Sequence, residues 1–265
     1  MRLRIIQLDP TNVQARIDGA ESALKFRKIT IAQNLLARPT AEMQKFTRYY
    51  DLLGWLQILS HDLQDANATW MNALEHNPGN IIFETNLATV RLSSSDESVR
   101  KEAVNKLEQI VFGEKPPVSA LVSLMVYAIQ SPDKPKDIDR WLERFRTLVP
   151  QTDPLFTNYL DTLRRWSPDR FAEELASYQV VVLPVPAAAM HAQSWMISSG
   201  LFKEFCDFRQ SLPEPLRDNI QSILLQAEAL FNLDRKDELN RLLEQPVFMQ
   251  MLPLKMAWQE PPDRR

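Results

Sequence analysis

The sequence predicts an all-α protein built from helical hairpins. Apolar residues recur at intervals of three and four over most of the chain, which is the spacing of one face of an α-helix. The chain has 5 glycines and 18 prolines, and many of the prolines separate the apolar stretches, where they stop helices. The third observation is a repeat: Pro10 and Pro78 lie in matching contexts, Leu8–Asn12 and His76–Asn80, and 78 − 10 = 68 is twice 34.

The first two hairpins are predicted at residues 12–38 and 46–77. Helical spacing of apolar residues supports both, and a turn is expected near His61 and Asp62. At an offset of 34 the hairpins align, and the aligned pairs are Ala20 with Gly54, Ala32 with Ala66, and Leu36 with Trp70. The agreement of several residue types at one offset indicates a repeat rather than an ordinary helical bundle.

The second hairpin resembles the tetratricopeptide repeat, a helix–turn–helix unit of 34 residues. The residues that carry the resemblance are Tyr50-x2-Leu53-Gly54, Ala66-x3-Trp70-x2-Ala73 and Pro78. Because such a repeat buries its apolar face only against its neighbours, the resemblance implies a right-handed α-α superhelix, a TPR-like solenoid of helical hairpins. Gly54 and Ala66 are expected to meet where the two helices cross, and Trp70 is expected to pack into the next repeat.

A third hairpin is predicted from Asn80, with a turn at 93–97 and a second helix at about 99–112. Ala103, Leu107 and Ile110 keep the spacing of the second helix, but three residues late. We therefore assign residues 1–112 to tetratricopeptide-like repeats.

Residues 113–186 are predicted to be an irregular helical continuation. Pro116 and Pro117 end the preceding helix. Apolar patterns then predict helices at about 118–130, 137–149, 153–166 and 168–179, which match the repeat motif poorly. Residues 180–186 combine β-branched side chains with two prolines, so we expect an extended apolar connection, with an exposed strand for a partner as the less favoured alternative.

The repeat period returns in residues 187–265. Gly200 and Asp234 lie at predicted turns, and 234 − 200 = 34. Degenerate helical hairpins are expected at about 187–211 and 215–244. Residues 246–258 are apolar enough to form a C-terminal cap, and a disordered tail is expected at 260–265.

The N-terminus suggests that the chain is a fragment of a longer protein. Residues 2–10 resemble the last turns of a repeat's second helix, and the first helix of that repeat does not precede them. A longer protein would carry more repeats, a signal peptide or a membrane anchor upstream.

Composition and charge argue against several classes of protein. The formal net charge of −3 gives no general attraction to nucleic acid, so no nucleic-acid partner is predicted. No run of 18 apolar residues occurs, so no membrane span is predicted. Cys206 is the only cysteine, which rules out an intramolecular disulfide but does not decide between cytoplasm and periplasm.

Catalytic and metal motifs are also missing from the sequence. The three histidines, His61, His76 and His191, are far apart and lack metal-ligand spacing. No Gly-x-Ser-x-Gly elbow or glycine-rich phosphate loop occurs. We therefore predict no catalytic residue, no metal and no cofactor.

The resemblance implies that partners bind in a concave groove lined by the first helices of successive repeats. The positions that it places there are Gln14, Ile17, Glu21 and Leu24, then Arg48, Asp51, Trp55 and Ile58, then Ile82, Thr85, Thr89 and Leu92. Of these, the candidate partner-binding residues are Gln14, Glu21, Arg48, Asp51, Trp55, Ile58, Thr85 and Thr89. A receptor for C-terminal carboxylates is not expected, since Ile17 and Glu21 stand where that variant of the family has Lys and Asn.

The predicted function is non-catalytic binding of a protein or peptide by this groove. One alternative is that Trp55 and Ile58 pack against a neighbouring helix. Others are a self-assembly module that forms a homo-oligomer, a component of a cell-envelope or polysaccharide-export assembly, and an enzyme with a site assembled from distant residues.

Overall fold

A computed structural model describes residues 12–245 of the chain, and this part is helical. It contains fifteen α-helices and a short 3-10 turn at Met43–Lys45, with no strand within the described residues. The all-α prediction is confirmed. The chain divides into two compact units, with the boundary between Gln130 and Ser131. The expectations for residues 2–10, 246–258 and 260–265 lie outside the described residues.

Within the described residues, unit 1, the part up to Gln130, contains seven α-helices. They are α1 (Val13–Lys25), α2 (Ile29–Leu36), α3 (Thr47–Leu59), α4 (Leu63–His76), α5 (Ile81–Arg91), α6 (Glu97–Val111) and α7 (Val118–Gln130). Side-chain oxygens of Asn12, Asp62, Asn80 and Asp96 accept backbone N–H groups at the starts of α1, α4, α5 and α6. His61 has a φ of 61°, so the tight turn between α3 and α4 falls where the sequence predicts it.

Unit 2, the part from Ser131, contains the other eight helices. They are α8 (Ile138–Leu148), α9 (Phe156–Trp166), α10 (Pro168–Val182), α11 (Pro186–Ser198), α12 (Phe202–Ser211), α13 (Glu214–Arg217), α14 (Ile220–Asn232) and α15 (Lys236–Leu243). Gly200 and Asp234 have φ values of 71° and 55° in the turns that follow α11 and α14, as their spacing predicts.

The extended connection predicted at 180–186 is wrong. Helix α10 continues through Val182, and α11 begins at Pro186. Val182 is fully buried, and the low helix propensity of valine amounts to only about 0.5 kcal/mol, which packing overrides. Pro186 is the first residue of its helix, where its missing N–H has no intrahelical partner to lose.

In unit 1 the hairpin of α3 and α4 packs tightly where a small residue meets a large one. A Cβ atom added to Gly54 on α3 would lie 2.4 Å from the Trp70 ring on α4, so the indole covers the glycine directly. Trp70, Ala66 and Ala73 are all fully buried. The sequence assigns Trp70 to the next repeat, but the structure shows its ring against Gly54 of its own hairpin.

In unit 2 a chain of contacting aromatic rings fills the space between neighbouring helices. The ring centroids of Phe156 and Tyr159 are 4.9 Å apart, and Phe145 lies 6.2 Å from Tyr159. Tyr178 stacks on Phe156 at 5.8 Å and meets Trp195 edge-on at 6.0 Å. These rings join α8, α9, α10 and α11 through one continuous core.

Candidate functional site

The first helices of the hairpins in unit 1 lie side by side and are joined by polar side chains. Arg48 on α3 pairs with Asp18 on α1, with a distance of 3.1 Å between guanidinium and carboxylate, and also with Glu21. The Asn86 amide on α5 donates to Asp51 on α3 at 2.8 Å. We call the surface formed by Asp18, Glu21, Arg48, Asp51, Trp55, Asn86, Thr89 and Ser123 the first-helix face.

Two of the contacts across the first-helix face lie at or near the predicted period, whereas Arg48 is 30 residues from Asp18 and 48 − 21 = 27 residues from Glu21. Asp51 and Asn86 are 35 residues apart. Thr89 on α5 and Ser123 on α7 are 34 residues apart, and their hydroxyl oxygens lie 2.7 Å from each other. The period that was found in the residue types is therefore also present in the contacts between neighbouring first helices.

Asp51 is a half-buried carboxylate at the centre of this face. Burial raises the pKa of Asp51, and hydrogen bonds from Asn86 and Trp55 oppose that rise. Among the ion pairs within residues 12–245, none includes Asp51. Its negative charge is held by neutral donors alone.

Trp55 is the largest exposed apolar side chain on the face. It retains 39% of its surface in solvent, and one edge of the indole rests on Trp70, with 6.0 Å between the ring centroids. The sequence left open whether Trp55 lines a groove or packs on a neighbouring helix. In the structure the Trp55 ring contacts Trp70 on the neighbouring helix, and part of its surface stays exposed.

Gln14 and Glu21 lie on α1, and Thr89 lies on α5. Gln14 is exposed on α1 and donates to Asp18 at 2.9 Å, and Glu21 is exposed beside Arg48. Thr89 is half-buried at its contact with Ser123.

Several apolar or small positions assigned to the groove instead lie in the core. Ile17 and Thr85 are each 1% exposed, and the Thr85 hydroxyl donates to the backbone oxygen of Ile81 at 2.7 Å. Leu24 and Ile58 are partly buried against the same core. These positions lie at the edges of the helical stripe, where an apolar side chain turns inward because burial is favourable.

Sequence reasoning missed Asp18, Asn86 and Ser123. Ser123 lies one period after Thr89, since 123 − 89 = 34, so extending the offset into α7 would have found it. Asp18 and Asn86 lie off the positions that the family motif marks, and only their contacts identify them.

Unit 2 contains a similar carboxylate–indole pair. The Trp195 indole N–H on α11 donates to both carboxylate oxygens of Asp161 on α9, at 3.2 and 3.1 Å, and the two residues are 34 apart. Ser199 donates to the same carboxylate at 3.4 Å. Burial raises the pKa of Asp161, while the Trp195 hydrogen bond and the Arg164 charge oppose that rise. Trp195 is only 7% exposed, so the indole of this pair is covered.

The described part of the chain does not assemble a metal centre. Residues 12–245 contain no group of three or more His, Cys, Asp or Glu side chains able to hold a metal. An open depression of about 560 Å³ lies between α4, α5 and α6, and its lining side chains include no histidine or cysteine. No described helix is both long and apolar enough to cross a membrane.

Comparison with models of known protein families gives no match, and neither does comparison with curated proteins.

Proposed function

We propose that the chain is a non-catalytic scaffold that binds a protein or peptide in the groove of a TPR-like, right-handed α-α solenoid. The observation that carries the proposal is the row of polar contacts between successive first helices, at steps of 35 and 34 residues. A regular step of this kind is what stacked repeats of 34 residues would produce.

The chemistry of the first-helix face supports a binding role. Trp55 and Ile82 expose 39% and 53% of their surfaces on the first helices α3 and α5, where isolated apolar anchors would be expected. Exposed charges and amides, such as Glu21 and Gln14, lie on the first helix α1. Aromatic anchors with a polar rim are typical of surfaces that recognise a peptide or a helix.

The test compares two exposed apolar residues on different helices of one hairpin. Trp55 lies on the first helix, and Met71, which is 43% exposed, lies on the second. We expect Trp55→Ala to lose a partner that the parent chain captures from a native lysate, and Met71→Ala to keep it. Circular dichroism provides the check that both variants fold.

Two outcomes would contradict the proposal. A partner that Trp55→Ala retains and Met71→Ala loses would place binding on the second helices. Capture of the chain itself, with no other partner, would favour the self-assembly alternative.

A further inference from the structure

We infer that the segment bound by the first-helix face carries a basic side chain beside an apolar one, with the cation at Asp51 and the apolar group on Trp55. This inference rests on the proposed function, because it names the chemistry of the partner for the same groove.

The charges of the face are unbalanced towards the negative. Asp18, Glu21 and Asp51 supply three carboxylates and Arg48 supplies one guanidinium, so the formal sum is −3 + 1 = −2. Arg48 is already engaged by Asp18 and Glu21. The Asp18–Glu21–Arg48 cluster keeps one excess negative charge, but both of its carboxylates already pair with a cation, whereas Asp51 has no ion pair among the described residues. Asp51 is therefore the carboxylate of this face that a partner's cation would pair with.

Asp51 also has capacity for another hydrogen bond. An ionised carboxylate offers about four lone-pair sites. Asn86 and Trp55 supply two hydrogen-bond donors to these sites. A guanidinium or ammonium group at the remaining sites would form a charge-assisted hydrogen bond and offset the unfavourable burial of the carboxylate.

Trp55 adds a second reason to expect a cation with an apolar neighbour. Interaction with the Trp55 side chain lowers the pKa of Asp51, and part of the Trp55 ring surface is open. The face of an indole attracts cations and also packs well against aliphatic groups. Asp51 and Trp55 lie four residues apart on α3, so one short segment can reach both.

In unit 2 the Asp161–Trp195 pair has the same two side-chain types, but its indole is shielded from solvent. There the indole is 7% exposed, Ser199 supplies a further donor, and the nearby Arg164 supplies positive charge. That carboxylate does not need a cation from a partner. Asp161→Asn is therefore a matched control for Asp51→Asn.

The test is a selection of random displayed peptides of about twelve residues on the full chain. We expect enrichment of sequences with Arg or Lys next to an apolar residue. The strongest arginine peptide is then synthesised with a twin in which citrulline replaces arginine. Calorimetry should show that Asp51→Asn, or the citrulline twin, weakens binding about tenfold, and that Asp161→Asn changes it less than about twofold.

The outcomes separate this inference from the function on which it rests. Enriched peptides that lack basic residues but still require Trp55 would overturn the inference and leave groove binding standing. An arginine peptide that binds Asp51→Asn as tightly as the parent would also overturn it. Failure to enrich any peptide whose binding depends on Trp55 would count against both.

Discussion

Unit 1 and unit 2 are both made of paired helices, yet they fill the space between helices differently. In unit 1 a glycine lets the Trp70 ring lie directly on the α3 backbone, and alanines surround the crossing. In unit 2 large rings from four helices contact one another. The repeat motif consists largely of small residues at the positions where helices cross. It can therefore be recognised in the sequence of unit 1, where small residues occupy the crossing, and only weakly in unit 2, where large rings fill the space.

The same comparison holds for the carboxylate–indole pairs. Asp51 and Asp161 are both half-buried and both accept from an indole. Trp55 is open to solvent, whereas Trp195 is covered. A similar carboxylate–indole pair therefore has a covered indole in unit 2 and a partly exposed indole in unit 1.

The largest effect is expected from Gly54→Ala in unit 1. Alanine favours the helix by about 1 kcal/mol, but its Cβ would lie 2.4, 2.5 and 2.8 Å from three atoms of the Trp70 ring, so the overpacking penalty is expected at the upper end of its usual range, about 3 kcal/mol. We expect a net loss in the free energy of unfolding, measured by urea denaturation.

A double-mutant cycle with Trp70→Leu tests the cause of that loss. If the steric clash is responsible, Gly54→Ala should become neutral or stabilising once the ring is removed. An equal loss in both backgrounds would mean that Gly54 is needed for another reason.

The second-largest loss in the free energy of unfolding is expected from Tyr159→Phe in unit 2. The Tyr159 hydroxyl donates to Glu174 at 3.2 Å, and Arg146 lies 3.5 Å from the same carboxylate oxygen. Removing the hydroxyl should cost about 1–2 kcal/mol, because the carboxylate is mostly buried.

Alkaline titration provides an independent readout of the same residue. Burial raises the pKa of Tyr159 to about 12, and that of Tyr178 also to about 12. An unfolded tyrosine has a pKa of about 10, so the folded state holds these protons more tightly. The contribution of these two protonated phenols to the free energy of unfolding is therefore fully present below about pH 10, and it is lost as the pH rises from about 10 to 12. Ultraviolet absorbance should show one fewer late-titrating phenol in Tyr159→Phe.

The smallest effect on stability is expected from Asp51→Asn and Asp161→Asn. Burial raises the pKa of both carboxyl groups, so their contribution to stability is greatest below the unfolded pKa of about 3.9 and falls as the pH rises through the folded value. At pH 7 the neutral amide should therefore be as stable as aspartate or slightly more so. The gain in stability should be smaller for Asp161→Asn, because this variant also loses the attraction between the carboxylate and Arg164.

Urea unfolding at about pH 7 and pH 3.5 distinguishes this account from a loss of hydrogen bonds. The difference in the free energy of unfolding between each variant and the parent should be smaller at the lower pH, where the parent carboxyl groups are protonated. A variant that is clearly less stable than the parent at pH 7 would show that the charge itself stabilises the fold.

The sequence predicts the helices well because apolar spacing and stop signals are local. It places Asp51 and Trp55 on the first-helix face for the same reason. It misplaces Ile17 and Thr85 because a few degrees of helix rotation decide whether a residue at the edge of the stripe turns inward, and that rotation depends on the neighbouring helices. Residues 180–182 were misassigned because the burial of Val182 outweighs a weak local preference.

Photo-crosslinking from position 55 tests most directly whether partners contact the first-helix face. Benzoylphenylalanine would replace Trp55 in one variant and Met71 in the other, and both would be irradiated in a native lysate. We expect a discrete crosslinked partner from position 55 and none from position 71. A partner crosslinked from position 71 alone would contradict the proposed binding face, and so would the absence of a partner from position 55.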